Sequence, residues 1–171
     1  MNKMQQIFVE KVTLNLGTGG PGENLDKALK LLKNLTGRKP LTTKTKKRIP
    51  TWGLRPNLQI GCKVTLRKQK ADEFLKKLFD AKNNTIELKN FDKNGNFSFG
   101  IPEYIDIPGT EYDMSIGIIG LEAAVTLARP GFRIRKRHFL QRKIPRHHLI
   151  SKQQAIKFVK TKYNIQIEEK E

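Results

Sequence analysis

The chain has 171 residues and carries 34 lysines and arginines against 16 aspartates and glutamates, a formal net charge of +18. A chain of this length can bury the core of one domain. So large an excess of positive charge favours a polyanionic partner, and nucleic acid is the first class to test. A single cysteine excludes an intrachain disulfide and a thiolate zinc site, which fits a reducing compartment. We expect no secretory signal and no membrane span, since the longest apolar stretch is far short of the ~20 residues required.

The positive charge is concentrated in two segments that contain no acidic residue. Residues 27–71 carry 14 lysines and arginines, and residues 129–162 carry 12. A run of like charge is often no more than a solvated face, but both segments also contain regularly spaced apolar residues. We therefore expect folded segments whose exposed sides are positive, as in a surface that contacts phosphate. A basic helix on a membrane surface is the alternative, but no long helix with aromatic anchors is predicted.

Apolar periodicity predicts both strands and helices along the chain. In the first strand we expect Phe8 to share the buried face with Val12, and in the first helix we place Leu29 and Leu35 in the buried stripe. The last helix begins with a capping-box pattern at Ser151. The predicted elements, in chain order, are a strand at 7–16, a helix at 23–35, a strand at 60–67, a helix at 71–82, a turn at 92–95 before a strand at 97–99, a buried strand within 116–128, a hairpin continuation at 132–137 and a helix at about 151–163.

Two of the predicted strands have one apolar face and one polar face. An antiparallel sheet can pack helices on one side and leave the other side open. We therefore predict an α+β fold, a single domain over residues 1–171, with helices on one face of an antiparallel sheet and a basic, RNA-facing opposite face. A basic extension at about 129–150 is the best candidate for a segment that RNA orders. The polar positions are Lys11, Thr13 and Asn15 in the first strand and Lys63, Thr65 and Arg67 in the strand at 60–67.

A loop at residues 52–57 reads Trp-Gly-Leu-Arg-Pro-Asn and lies between basic, strand-like segments. An aromatic ring and an arginine in a loop with glycine and proline are suited to stack on a nucleotide surface or to clamp it. The alternative is that Trp52 belongs to the core. The sequence leaves both interpretations open.

Two further patterns suggest other chemistry. Residues 17–22 match the G-x-G-x-x-G pattern of dinucleotide sites, but the acidic residue expected about 20 positions later is missing. A nucleotide-dependent enzyme that uses this loop stays the alternative function. Asp92, Asn94 and Asn96 have the spacing of calcium ligands, but Phe97 occupies the position that needs glycine, so a hairpin turn is favoured. No set of side chains has a recognisable catalytic spacing, and we expect no enzyme, no cofactor and no metal.

Longer blocks of the sequence are more specific than these motifs. They are EKVTLNLG, LTGRKPLTTKTKKRIPTWGLRP, IGCKVTLR, NFDKNGNFSFGIPEYIDIPGTEYD and IGIIGLEAAVTLARPGFRIRKR. In this order they resemble the family of the universal large-subunit ribosomal protein five, the 5S rRNA-binding protein of the central protuberance, in its archaeal or eukaryotic form. The resemblance covers about residues 7–163.

This resemblance implies a structural constituent of the large ribosomal subunit in the cytoplasm, with one α+β domain and no enzymatic activity. The implied partners are 5S rRNA, the large-subunit rRNA, P-site tRNA at a projecting loop, and neighbouring ribosomal proteins. Among the last is a protein of the small-subunit head, across an intersubunit bridge. Arg38 stands where the family usually has glutamine and adds a positive charge.

The resemblance also implies roles for residues at the matching positions. Asn15 matches a 5S rRNA contact, and residues 49–57 match the loop that contacts tRNA. Lys39, Thr42 and Lys44 match further rRNA contacts. With the polar strand faces and the basic segments, the candidate rRNA-binding residues are Lys11, Thr13, Asn15, Arg38, Lys39, Thr42, Lys44, Lys46, Lys47, Lys63, Thr65, Arg67, Arg133, Arg135 and Arg137. The candidate tRNA-contacting residues are Arg48, Thr51, Trp52, Gly53, Leu54, Arg55, Pro56 and Asn57.

Overall fold

The computed structural model describes residues 2–168 and has an α+β fold, as the sequence predicts. Five strands form one antiparallel sheet in the order β2-β3-β1-β6-β5, and β4 pairs in parallel with β7. The strands are β1 (Phe8–Gly17), β2 (Leu41–Lys44), β3 (Gln59–Leu66), β4 (Thr85–Glu87), β5 (Phe97–Ile101), β6 (Leu121–Ala128) and β7 (Gln166–Glu168). The helices are α1 (Glu23–Thr36), α2 (Gln69–Asp80) and α3 (Lys152–Tyr163). Between residues 2 and 168, no helix is long and apolar enough to cross a membrane.

The chain divides into two compact units. The first, here called unit 1, contains the described residues up to 12, residues 67–99 and the described residues from 124 onward. The second, unit 2, contains Thr13–Leu66 and Gly100–Ala123. Each unit has its own buried side chains.

In unit 2, helix α1 packs against strand β3. The helix buries Leu25, Ala28, Leu31 and Leu32, and it ends at Gly37, whose φ of 63° is in the left-handed region that favours glycine. The prediction that Leu29 and Leu35 lie in this buried stripe is wrong, since both side chains are only half-buried. Leu29 lies at the edge of the stripe, and Leu35 lies in the last helical turn.

In unit 1, helix α2 packs its aromatic side chains against strand β5. The ring of Phe79 lies 5.6 Å from the ring of Phe99 and 5.2 Å from that of Tyr163, measured between centroids. The predicted capping box is confirmed at the start of α3, where Ser151 and Gln154 each accept a hydrogen bond from the other's backbone N–H, at 3.3 and 3.2 Å. The buried side chains of α2 are those predicted, namely Ala71, Phe74, Leu75, Leu78 and Phe79.

Three local predictions need correction, and one strand is missed. Phe8 is 43% exposed, whereas Val9 is buried, because the alternation of β1 shifts between Val9 and Val12. Strand β6 is buried on one face only, since its side chains alternate. Residues 132–137 do not continue a hairpin, because Gly131, with a φ of 94°, starts a short 3₁₀ turn there. The sequence also does not predict β2, a strand of only four residues whose side chains are exposed or half-buried.

Candidate nucleic-acid interface

Strand β3 separates polar from apolar side chains as predicted. Cys62 is fully buried, and Val64 and Leu66 are each only 2% exposed. Between and beyond these residues, Lys63 and Arg67 are exposed and Thr65 is half-buried. The polar side of this strand is therefore accessible to a ligand, and it carries two full positive charges.

Strand β2 extends the polar side of β3. In the antiparallel register Leu41 lies opposite Lys63, and Thr43 lies opposite Gly61. Because paired residues project from the same side of a sheet, Leu41 and Thr43 share the side of Lys63. The sequence analysis did not identify Thr43 as a site residue. If β2 had been predicted as a strand, the pairing of Thr43 with Gly61 would have indicated it.

Thr42 projects from the other side of the sheet. It lies opposite the buried Cys62 in the register of β2 and β3, and it is half-buried. The structure therefore does not bring Thr42 together with Lys63 on one surface, although both are predicted rRNA contacts. Of the other predicted residues nearby, Arg38, Lys39 and Lys44 are exposed.

Gly61 marks a place where two strands approach closely. A Cβ atom on this residue would lie 2.5 Å from the carbonyl oxygen of Leu16 in β1 and 3.1 Å from Oγ1 of Thr43. No side chain fits against a backbone oxygen at such a distance, so glycine is required here. The close approach also shows that Thr43 lies on the same side of the sheet as the missing side chain of Gly61.

The polar positions of β1 alternate with buried residues as predicted. Lys11, Thr13 and Asn15 are half-buried, between the buried Val12, Leu14 and Leu16. The side-chain amide of Asn15 donates to Oε2 of Glu122 in β6 at 3.4 Å. This hydrogen bond orients the amide, and its carbonyl oxygen and second hydrogen stay available to a ligand.

The loop between β2 and β3 is fastened at its base by Thr45. Its backbone N–H donates to the carbonyl oxygen of Leu58 at 2.9 Å, and its carbonyl accepts from Asn57 at 3.0 Å. Its hydroxyl donates to the carbonyl oxygen of Arg55 and accepts from the N–H of Leu58. Thr45 is buried, so these bonds form a protected closure for residues 46–57, which we call the 46–57 loop.

The tip of the 46–57 loop has a short ladder of its own. Ile49 and Leu54 exchange two backbone hydrogen bonds of 3.0 Å, and Pro50–Trp52 form one 3₁₀ turn between them. Trp52 is 73% exposed, so the alternative that it belongs to the core is wrong. The exposed cations of the loop are Lys46, Lys47, Arg48 and Arg55, and Thr51, Gly53, Pro56 and Asn57 are exposed as well, whereas Leu54 is half-buried.

The first arginine of the basic extension is an internal contact. Arg129 is only 7% exposed and donates to the carbonyl oxygens of His148 and Leu149 at 3.3 and 3.4 Å and to Oε1 of Gln154 at 3.0 Å. Nε2 of His148 lies 2.9 Å from the carbonyl oxygen of Pro130. These bonds tie the two ends of residues 129–150 together.

The remaining arginines predicted in the extension are accessible. Arg133, Arg135 and Arg137 are exposed, and Nε of Arg137 donates to the carbonyl oxygen of Leu140 at 2.8 Å. Lys136 pairs with Glu10, so its charge is partly neutralised. Arg142 and Arg146 are exposed as well, so the extension offers five arginines to a ligand, while Arg129 maintains its shape.

Two alternative sites are explained by local structure. The strand after α1 is β2, and β3 lies between β2 and β1 in the antiparallel sheet, so residues 17–22 do not begin a βαβ unit of adjacent parallel strands, which dinucleotide sites use. The carboxylate of Asp92 accepts hydrogen bonds from the N–H groups of Asn94 and Asn96 at 2.9 and 2.7 Å, which is the predicted turn. Over residues 2–168, no group of three or more His, Cys, Asp and Glu side chains is placed to hold a metal ion.

Two family models match nearly the whole chain. The model described as "Ribosomal protein L5" matches residues 2–55, and the model for the C-terminus of the same ribosomal family matches residues 59–162. The "Large ribosomal subunit protein uL5" of Sulfolobus acidocaldarius is 48% identical over 97% of this chain and 93% of that protein. The proteins of the same name from Nanoarchaeum equitans and Methanosphaera stadtmanae are 50% and 42% identical, over 96% and 98% of this chain and 97% and 100% of their own lengths.

Proposed function

Because the chain belongs to the ribosomal protein L5 family, we propose that it binds 5S rRNA, with further contacts to the large-subunit rRNA, in the central protuberance. Its relatives are named as large ribosomal subunit proteins, and the chain is accordingly a structural ribosomal protein and not an enzyme. Its partners are rRNA and other ribosomal proteins, and it acts in the cytoplasm as part of the ribosome.

The observation that carries the 5S rRNA proposal is the polar side of β3. Lys63 and Arg67 are exposed, Thr65 lies between them, and the intervening side chains are buried. The segment 27–71 around this strand has no carboxylate to neutralise these cations. Cations that project from a regular strand are suited to contact successive phosphates, while Thr65 and Asn15 supply hydrogen bonds to sugar or phosphate oxygens.

The same proposal assigns the 46–57 loop to P-site tRNA. Its base is closed by a buried threonine, and its tip exposes Trp52 next to Arg48 and Arg55 on the two arms. An aromatic ring and cations on a fixed loop can contact a folded RNA surface without ordering at the moment of binding.

The bridge to a protein of the small-subunit head is the third part of the proposal. In unit 2, one segment exposes three large apolar side chains, namely Tyr112 at 53%, Met114 at 89% and Ile118 at 64%. Exposed apolar side chains grouped in this way are typical of protein contacts. We assign the bridge to this segment.

Binding to 5S rRNA as a function of salt tests the central part of the proposal. We expect log K to fall linearly with log salt concentration, with a slope of about −0.7 to −0.9 for each phosphate neutralised. A flat dependence, measured by filter binding, would contradict phosphate contact. The alternative of a nucleotide-dependent enzyme predicts heat on titration with NAD(P) in a calorimeter, and the ribosomal proposal predicts none.

A further inference from the structure

The chain returns from the 46–57 loop to β3 through a type II β-turn at residues 55–58. The N–H of Leu58 donates to the carbonyl oxygen of Arg55 at 3.2 Å, and Pro56 and Asn57 occupy the two central positions. Proline presets the φ of the first central position, and the second requires a positive φ, which asparagine adopts more readily than most residues. The φ of Asn57 is 66°. The residues Arg-Pro-Asn-Leu therefore favour this turn locally.

Thr45 holds both ends of the turn with one hydroxyl group. The hydroxyl donates to the carbonyl oxygen of Arg55, the first residue of the turn, and accepts from the N–H of Leu58, the last, at 3.2 Å. The backbone of Thr45 adds a bond from the N–H of Asn57 at 3.0 Å and one to the carbonyl oxygen of Leu58 at 2.9 Å. The turn is therefore fixed to the end of β2 by the hydrogen bonds of a single residue.

Thr45 is itself withdrawn from any ligand. It is only 8% exposed, although its neighbours Lys44 and Lys46 are both exposed. Its one hydroxyl hydrogen is donated to Arg55, and the hydroxyl oxygen accepts from Leu58. A buried residue whose hydroxyl is used on the backbone in this way acts through the residues that it holds.

The tip of the loop depends on this closure for its position. Ile49 and Leu54 join the tip by two backbone hydrogen bonds of 3.0 Å, so the 3₁₀ turn Pro50–Trp52 keeps its own shape. In the part of the chain that the structure describes, no backbone hydrogen bond links residues 46–48 to residues 55–57. If the base opens, the tip is therefore free to move as one body.

We propose that Thr45 is a positioning residue for tRNA, whose hydroxyl keeps the 46–57 loop in the orientation in which Trp52 and Arg55 contact tRNA. This inference rests on the proposed contact between the loop and P-site tRNA. A loop that is held before binding does not have to be ordered on binding. The apparent affinity falls with the fraction of molecules in the competent orientation, and loss of both hydroxyl bonds should lower it roughly tenfold.

The first measurement is the mobility of Trp52 in the free protein. Trp52 is the only tryptophan of the chain, so its time-resolved fluorescence anisotropy reports the loop tip alone. Thr45→Val keeps the shape of the side chain and removes both hydroxyl bonds, so the tip should become more mobile. Thr45→Ser keeps the hydroxyl and should resemble the unchanged protein. Thr110→Val is the matched control, because the Thr110 hydroxyl donates to the carbonyl oxygen of Ile107 at 2.8 Å, in unit 2 but outside the loop.

Asn57→Ala loosens the same turn without a change at a buried position. Asn57 is exposed, and alanine at its φ of 66° is strained, so the mobility of Trp52 should rise in this variant too. This second variant tests the closure even if Thr45→Val does not fold. Because Asn57 is a candidate tRNA contact, mobility is the only readout used for it.

The second measurement is the affinity of P-site tRNA for ribosomes whose large subunits contain each variant. We expect Thr45→Val to weaken tRNA binding roughly tenfold, and Thr45→Ser and Thr110→Val to leave it unchanged. Binding of 5S rRNA by Thr45→Val should equal that of the unchanged protein, which a general loss of structure would not allow.

Three results would overturn the inference. In the first, Trp52 is no more mobile in folded Thr45→Val or in Asn57→Ala than in the unchanged protein. In the second, Thr110→Val mobilises Trp52 as much as Thr45→Val does. In the third, Thr45→Val mobilises the tip but leaves tRNA affinity unchanged, although Trp52→Ala lowers it. Failure of the proposed tRNA contact is a different result, because Trp52→Ala and Arg55→Ala would then leave tRNA affinity unchanged.

Discussion

The guanidinium group of Arg129 donates to Oε1 of Gln154 at 3.0 Å, and the same oxygen accepts from the backbone N–H of Ser151 at 3.2 Å. One amide oxygen thus joins the residue that follows β6 to the cap of α3. Arg129 also donates to the carbonyl oxygens of His148 and Leu149. The start of the basic extension, its end and the first turn of the last helix therefore meet at one buried arginine.

This arrangement predicts that Arg129 and Arg133 differ in role although both belong to the same basic segment. Replacement of Arg129 by alanine removes three hydrogen bonds made by a buried side chain, so we expect the free energy of unfolding in urea to fall by about 1–3 kcal/mol. Arg133 is exposed, so Arg133→Ala should change stability by no more than about 0.5 kcal/mol and should instead weaken RNA binding. Equal loss of stability in the two variants would contradict the assignment of Arg129 to the fold.

The sequence predicts most of the fold where a regular pattern is long. The alternation around Cys62 in β3 and the stripe of α2 that includes Phe79 both occur where the apolar spacing predicts them. Strand β2 is missed because four residues are too few to show a period, and its partner β3 is distant in the chain. Phe8 was predicted to be buried, but the buried positions of β1 change parity between Val9 and Val12, and the residue types along the strand do not indicate that change.

The candidate site is predictable only in part, for a related reason. Sequence alone identifies Lys63 as a cation on a polar strand face, but it does not show that Thr42, another candidate rRNA contact, projects from the opposite side of the sheet. Nor does it show that Arg129, at the start of the second acid-free segment, is buried. Both facts depend on which side of an element a side chain faces after distant segments pair, and local periodicity does not contain that information.

The two sides of β3 should respond differently to substitution. We expect Lys63→Ala with Arg67→Ala to weaken binding of 5S rRNA and to reduce the salt slope by about 0.7–0.9 for each phosphate that is no longer neutralised, with unfolding unchanged. Leu66→Ala should instead reduce the free energy of unfolding by about 2–5 kcal/mol, since Leu66 is only 2% exposed. Filter binding and urea denaturation measure the two effects. If both variants lose stability and affinity alike, the assignment of the two faces is wrong.

An ion pair in unit 2 predicts the acid behaviour of Asp113. Its carboxylate accepts from Nζ of Lys30 at 2.9 Å and from the hydroxyl and the N–H of Ser115. These hydrogen bonds, with that of Lys30 first, lower the pKa of Asp113 from 3.8 to about 2. The pair therefore stabilises the fold above about pH 4, and the contribution is lost as the pH falls from 3.8 through about 2.

Carboxyl NMR titration of Asp113 checks this prediction directly. Lys30→Met removes the donor with the largest effect, so the pKa of Asp113 should rise toward its ordinary value of 3.8. Lys27→Met is the matched control, because Lys27 lies in the same helix and pairs with Glu23 instead. A pKa near 3.8 in the unchanged protein, or an equal rise in both variants, would contradict the ion pair.

The only thiol of the chain should be inert in the folded protein. Cys62 is fully buried in β3, and this burial raises the pKa of its thiol from 9.0 to about 11. The thiolate is the reactive form, so at about pH 8 a disulfide reagent should modify native protein only as fast as the protein unfolds.

The variant Cys62→Ser separates burial from thiol chemistry. A buried hydroxyl in place of the thiol should destabilise the fold, whereas Cys62→Ala should leave a small apolar cavity and keep RNA affinity.

Because the raised pKa favours the protonated thiol, the unchanged protein should also lose stability as the pH rises from about 9 through about 11, and Cys62→Ala should lack that component. Rapid modification of native protein at about pH 8, at a rate independent of urea, would mean that the Cys62 side of β3 is open to solvent, contrary to its assignment as the buried side of the sheet.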